Sequence, residues 1–291
     1  MLVIKLQGGL GNQLFLYGLY EQLKYIGRSV KIDDESGYLY DRFRKPVLNY
    51  LGVSYEKATR RDVQILQDAQ TDFYHILRRK LFGRSNREYK EPLDGSYDSN
   101  LFSLKDAYIV GYFQSDKYFP NKIVRQLLCE RILHKKEWFL NDKCSQSWMS
   151  YLADASSVSL HVRRGDYLLP GYRDIYDGIC SPLYYERAIS QMKEIVPGAH
   201  FFIFSDDPDW CCQHFKEDET MAVVRIEGND ADIKEFFLMQ SCTHHILANS
   251  SFSWWAAWLS DSSERSVCIA PRKWLNDKEM KDIYTERMLR L

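Results

Sequence analysis

No stretch of this sequence approaches the roughly 18 apolar residues that cross a bilayer. The opening MLVIKLQGGLGNQLF lacks the basic segment and long apolar core of a secretory leader, so the expected location is the cytoplasm. An excess of either charge is missing too. Lys plus Arg total 39 and Asp plus Glu total 40, for a net charge of −1, which argues against a dedicated nucleic-acid binder. The 7 cysteines are scattered and odd in number, so they make no disulfide framework. Cys211 and Cys212 are adjacent, but no second Cys/His pair offers zinc-like spacing, and the thiols read as free and packed. There is no internal repeat and no low-complexity tract. What remains is a 291-residue chain, 45% hydrophobic and 27% charged, long enough for two modest domains or one large α/β domain.

The hydrophobic pattern is that of alternating strands and helices. Leu2–Leu6 reads as a strand, glycines follow at 8, 9 and 11, and Leu14, Phe15, Leu19, Leu23 and Ile26 recur at helical spacing up to Gly27. Ser29–Asp33 reads as a second strand, completing a βαβ opening that predicts a parallel sheet. Residues 54–83 read as helical, with Leu66, Phe73, Ile76 and Leu77 on one side; 85–100 read as a loop; Asp106–Phe113 as a strand; and 120–150 as helical again. Further strands are expected at Val158–Val162, His200–Phe204, Val223–Ile226, His245–Ala248 and Val267–Ala270. Ser181-Pro182 starts a helix that runs to about Ile195. The change of pattern near residue 150 suggests two β/α domains, residues 1–150 and 151–291, with a cleft between them.

Ligands of such folds sit at the carboxyl ends of strands, so the residues after each strand carry the functional reading. QGGLGNQ has neither the third glycine of a dinucleotide fingerprint nor the Lys-Ser/Thr of a P-loop. It is either an anion-friendly helix start or a plain tight turn. After Val162 come Arg163, Arg164, Gly165 and Asp166. Strand alternation puts His161 and Arg163 on one face and Arg164 on the other. A guanidinium fork there suits a phosphate, or forms a structural pair with Asp166. After Phe204, Asp206 can accept from a base such as guanine. Asp207-Pro208-Asp209, like Asp230-Ala231-Asp232, matches the weak Asp-x-Asp pattern of metal-dependent sugar transferases, although a Pro turn explains it as well. After Ala248, the hydroxyls of Asn249-Ser250-Ser251-Phe252 either cap a helix or hold phosphate. Trp254, Trp255 and Trp258 read as core, His244 and His245 as packed, and His75, His134 and His214 as lacking partners.

Taken in order, GGLGNQLF (8–15), HVRRGD (161–166), FSDDPDWC (204–211) and HHILANSSFSWWAAWL (244–259) resemble the motifs of the α-1,2-fucosyltransferase family, bacterial-type and similar to glycosyltransferase family 11, with its α-1,6- and protein O-fucosyltransferase relatives. The resemblance implies a GT-B fold of two Rossmann-like domains, an acceptor-side one first and a GDP-fucose-binding one second. It implies inverting transfer of L-fucose from GDP-β-L-fucose to a galactose 2-hydroxyl, with no metal and no further cofactor. It places Arg163 on the diphosphate, Arg164 beside it or bracing the loop, and His161 and Asp206 on guanine. Ser250, Ser251 and the Phe252 N–H fall on the phosphate, and Gly9, Gly11 and Asn12 on the diphosphate or fucose. Asp166 is the first candidate for general base, with Asp174 and Asp177 as others. The expected partners are GDP-fucose and a galactose-terminated glycan, with peripheral contact to membrane-borne acceptors. No nucleic acid is expected. A metal-dependent transferase and a non-catalytic glycan binder, the latter suggested by the 14% aromatic content, are the alternatives.

Overall fold

The computed structural model describes residues 1–152, 154, 156–260 and 266–291. They divide into two compact units, Met1–His134 and Lys135–Leu291. The first is a four-stranded parallel sheet in the order β2-β1-β4-β3. Its strands are β1 (Leu2–Lys5), β2 (Val30–Asp33), β3 (Glu88–Lys90) and β4 (Ala107–Val110). Helix α1 (Leu10–Tyr25) links β1 to β2 and ends at Gly27, where the Gly27 N–H reaches Lys24 O at 2.9 Å and the Arg28 N–H reaches Leu23 O at 2.9 Å. Helix α2 (Arg60–Leu66) opens on a capping box between Thr59 and Asp62. Helix α3 (Phe73–Phe82) is capped by Asp72, and α4 (Lys122–Leu133) by Asn121.

Two expectations change here. The polar stretch 85–100 holds β3, an edge strand that exists because its backbone pairs with β4 in the register Glu88↔Tyr108; the pairing is non-local and three residues carry no pattern. The expected helical run 54–83 is broken. Residues 56–58 lie alongside β2, with Ala58 N–H on Ile32 O at 2.8 Å, and α2 and α3 are separate. Leu66 is buried, whereas Phe73, Ile76 and Leu77 are exposed, so they do not share one core-facing side.

In the second unit α5 (Lys136–Phe139) and α6 (Lys143–Leu152) precede β5 (Ser157–Val162), α7 (Arg173–Tyr176) and α8 (Pro182–Ile195). Then come β6 (His200–Ser205), α9 (Pro208–His214), β7 (Met221–Val223), α10 (Ala231–Ser241), β8 (His244–Ile246), α11 (Ser251–Ser260), β9 (Cys268–Ala270) and β10 (Met288–Arg290). The division between units falls earlier than residue 150 because α5 and α6 dock on α10. Phe139 packs on Phe237 with ring centroids 5.8 Å apart, Lys136 Nζ donates to Gln240 at 2.7 Å, and Lys234 pairs with Asp142 at 3.1 Å. β7 lies earlier than the expected Val223–Ile226, placed by its register against β6, and β10 carries no pattern of its own.

All six strands are parallel, in the order β10-β9-β8-β5-β6-β7. That is the doubly wound order, with its reversal between β5 and β8, and folds of this kind hold their ligands at the carboxyl ends of the two strands that flank the reversal. Val158, Leu160 and Val162 of β5 pack against Tyr184, Tyr185, Ala188 and Met192 of α8 in the main core. Trp254 and Trp255 are fully buried, as expected. His245 is bonded to Ser159 at 2.7 Å, and His244 Nδ1 accepts the Val267 N–H at 3.1 Å. Two Rossmann-like α/β units in one chain are the GT-B architecture. No helix among the described residues is long and apolar enough to cross a membrane.

Candidate active site

The loop after β5 and the turn after β8 flank the reversal point, so the sheet itself brings the second and fourth motifs together. His161 is buried near the end of β5, and its ring lies 5.7 Å from that of Phe252 at the start of α11. Burial pushes the imidazole down to about 3, helped by the nearby Arg163 charge, so it is neutral. Its Nδ1 is buried with no hydrogen-bond partner among the described residues. A buried polar atom in that state is an opening for a ligand.

Arg163 sits between two carboxylates. Its Nε and Nη2 donate to Asp166 Oδ1 at 3.0 and 2.7 Å, and its Nη1 lies 3.2 Å from Asp206 Oδ2. Nε and Nη2 are hydrogen-bonded and Nη1 is ion-paired in this way, and the other two of the five guanidinium N–H groups meet no partner among the described residues. Asp166 therefore holds the arginine. Arg164 is turned to the neighbouring loop: Nε donates to Asp207 Oδ2 at 3.1 Å, and the guanidinium lies 4.1 Å above the Trp210 ring. Its backbone N–H donates to Asp206 Oδ1 at 2.9 Å. Asp206, expected on the base, thus has both oxygens engaged with the arginine loop. Asp207 also caps α9 through the Trp210 N–H, while Asp209 pairs with Arg225 at 2.8 Å. The two carboxylates of the Asp-x-Asp alternative are thus bound to different arginines.

Gly165 is the close approach of this site. A Cβ there would lie 2.5 Å from Asp206 Oδ2. Of the other carboxylates considered for proton transfer, Asp174 is exposed on α7 and Asp177 pairs with Arg173 at 3.5 Å. Ser250 is buried, its Oγ accepts the Phe252 N–H at 3.3 Å, and Ser251 begins α11. The turn is capped internally and leads from the carboxyl end of β8 into α11.

Several residues without a sequence signal complete the arrangement. The Tyr167 hydroxyl donates to Asn249 O at 2.8 Å, and Tyr167 stacks on Tyr176 at 4.3 Å. Asn249 Nδ2 donates to Trp274 O at 3.1 Å, and the Asn276 N–H reaches Ile175 O at 2.9 Å. Glu235 on α10 is half-buried, and burial, reinforced by Asp232 and Asp206, pushes its carboxyl up to about 8. Two histidines expected to lack partners have them: His75 bonds Asp72, and His214 stacks on Trp210 at 3.8 Å.

In the first unit Gly8 takes φ +79, a left-handed turn that glycine accepts without cost. Gly9 is the N-cap of α1 and Gly11 lies in its first turn. Asn12 Oδ1 accepts from Gln114 at 2.7 Å. Gln13 is the clamp that the motif did not reveal. Its amide donates to Gly8 O and Lys45 O, both at 2.9 Å, and accepts the Val47 N–H at 2.8 Å.

The buried histidines and Glu235 set a pH profile. In the unfolded chain a histidine takes its proton near pH 6.5, whereas folded His161 and His245 are both held down to about 3. Between those values the unfolded state binds more protons. Stability therefore falls on acidification, by about 1.4 kcal/mol per pH unit for each histidine. Glu235 acts the other way: its folded carboxyl keeps a proton up to about 8, against an ordinary 4.5, so its contribution is lost as pH rises. Denaturant titrations are expected to show greatest stability near pH 6.5. Glu235→Gln should flatten the alkaline side and steepen the fall between about pH 6.5 and 4.5, where Glu235 opposes the histidines; a stability that climbs steadily to pH 8 in the wild type would contradict the Glu235 assignment.

Residues 86–289 match the family described as Glycosyl transferase family 11. The chain is 30% identical, over 96% of its length and 94% of the relative's, to an alpha-1,2-colitosyltransferase of Escherichia coli. It is 28% identical, over 92% of its length and 93% of the relative's, to the O-antigen biosynthesis glycosyltransferase WbnK of Escherichia coli. Over 43% of the chain and 38% of the relative it is 28% identical to the galactoside alpha-(1,2)-fucosyltransferase 2 of Rattus norvegicus.

Proposed function

The chain belongs to glycosyl transferase family 11, and we propose that it transfers L-fucose from GDP-β-L-fucose to the 2-hydroxyl of a galactose residue with inversion, giving an α-1,2 link. The carrying observation is Arg163, fixed by Asp166 and Asp206 at the β5/β8 reversal point with N–H groups to spare. A diphosphate seated there meets that fork on one side and the Ser250-Ser251-Phe252 helix start on the other. As the bond to the sugar breaks, negative charge grows on the departing GDP, and a fixed guanidinium stabilises it. Neutral His161, with its unpartnered Nδ1, is assigned to the base. Asp206 carries one contact on each oxygen, which leaves carboxylate lone pairs, and it is assigned to accept from guanine beside His161. Gly9, Gly11 and Asn12 are assigned to the sugar side. Asp166 is assigned to orienting Arg163, and the oxocarbenium-like transition state draws its stabilisation chiefly from the leaving-group side.

A second donor is favoured by one observation, the 30% identity to a colitosyltransferase. Colitose is fucose without its 3-hydroxyl, so the same nucleotide site serves both, and discrimination rests on whether a polar group awaits that hydroxyl. The experiment offers GDP-fucose and GDP-colitose separately with a panel of β-galactosides, EDTA present, and reads GDP release and product by mass spectrometry. Expected is fucoside formation with EDTA present, at a kcat/KM at least about tenfold above colitose transfer. The opposite ratio assigns colitose. No product from either donor, or a requirement for a divalent metal, refutes the reading. A glycan-binding protein would bind the galactosides without releasing GDP.

A further inference from the structure

Helix α3 is mounted the wrong way round for a globular protein. Arg78 and Arg79, which with His75 are its half-buried residues, turn inward: Arg78 bonds Asp68, and Arg79 lies 3.8 Å from Asp68 and donates to Gln70 O at 2.6 Å. The apolar side chains point to solvent. Phe73 is 80% exposed, Tyr74 69%, Leu77 43%, Leu81 67% and Phe82 81%, and no residue of the helix is buried. Phe73, Leu77 and Leu81 stand at i, i+4 and i+8, a single stripe. Lys80 lies beside that stripe and is exposed, and Arg84 and Arg87 follow, also exposed. Of the five basic residues between 71 and 87, Arg78 and Arg79 pair with Asp68 and Arg87 lies 3.6 Å from Asp106, while Lys80 and Arg84 stand exposed beside the stripe.

An outward apolar stripe bordered by cations is the pattern of a helix that lies in a lipid interface. We propose that α3 docks the protein on an anionic phospholipid bilayer, with Phe73, Leu77, Leu81 and Phe82 in the acyl boundary and Lys80 and Arg84 at the headgroups. Charge complementarity selects this occupant. A second copy of the chain would set the same cations against themselves, whereas an anionic surface matches them. The ion pairs to Asp68 keep the helix fixed with its stripe outward whether lipid is present or not. This inference stands on α3 and is independent of the transfer reaction.

The full chain is spun with vesicles of phosphatidylcholine alone and of phosphatidylcholine with phosphatidylglycerol. The wild type is expected to pellet at least about tenfold more strongly with the anionic vesicles. Phe73→Ser/Leu77→Ser/Phe82→Ser should lose about tenfold or more of that binding, and Lys80→Glu/Arg84→Glu should lose the preference for anionic lipid. Both variants should melt at the wild-type temperature, because the replaced side chains are exposed. Turnover of a soluble galactoside should be unchanged; if the wild type itself shows none, the transfer reading fails and the docking result still stands. The proposal is overturned if the wild type stays in the supernatant, or if the apolar variant pellets like the wild type. It is also overturned if light scattering shows that the stripe joins two copies, the apolar variant turning a dimer into a monomer.

Discussion

Arg163→Ala is expected to lower kcat by about a hundredfold to a thousandfold while the protein stays folded. One charge-assisted hydrogen bond to phosphate contributes about 1.5–3 kcal/mol, and removal of a donor aimed at developing charge costs about 3–4 kcal/mol. The variant also leaves Asp166 and Asp206 without their shared cation, so the diphosphate would meet two carboxylates. Those groups are 22% and 25% exposed, enough to hydrate, which keeps the effect on melting small. Arg163→Lys should recover little, because an ammonium cannot reproduce the fork. Arg164→Ala provides the contrast. Its guanidinium is committed to Asp207 and Trp210, so its loss should reduce thermal stability more than kcat. Steady-state kinetics and melting curves of the three variants check this; near-normal turnover in Arg163→Ala would refute the diphosphate role.

Gly165→Ala, a single methyl group, is the second large effect. The new Cβ would meet Asp206 Oδ2 at 2.5 Å, and that oxygen cannot simply swing aside. Asp206 holds Arg163 through one oxygen and the Arg164 N–H through the other. Rotating the carboxylate away leaves both donors short, at about 1–3 kcal/mol, and displaces the guanidinium from its line to the leaving group. Misplacement of about 1 Å costs roughly a hundredfold in rate. The cause is separable from a general loss of loop geometry. In an Asp206→Ala background the clash is gone, so adding Gly165→Ala should change kcat by less than about threefold. Additive losses in that cycle would show that Gly165 acts through something other than Asp206.

How far the sequence foretold this follows from which interactions are local. The turn from β1 into α1, the Arg loop after β5 and the Ser turn into α11 were legible because strand, small residues and helix are contiguous there. The fates of Asp166, Asp206 and Arg164 were open: Arg163 and Asp206 stand far apart in sequence, and only the β5/β6 register brings them together. Glu235 carried no signal, since its raised pKa comes chiefly from burial, a tertiary effect, with Asp232 and then Asp206 adding to it. β3 escaped because three residues pair only by tertiary placement. Helix α3 was legible as a helix but not as an exposed one: periodicity reports that an apolar stripe exists, not which way the Asp68 ion pairs will turn it.

The hydrogen bonds that join Tyr167 to Asn249, Asn249 to Trp274 and Asn276 to Ile175 and Asp177 link three loops from different parts of the chain into one mechanical body. The ordering entropy of those loops is settled during folding rather than at nucleotide capture. The site is preorganised, and nucleotide affinity should owe little to loop closure. Cutting any one of these links far from the phosphate, as Asn276→Ala would, should therefore weaken the nucleotide complex by loosening a loop it never touches.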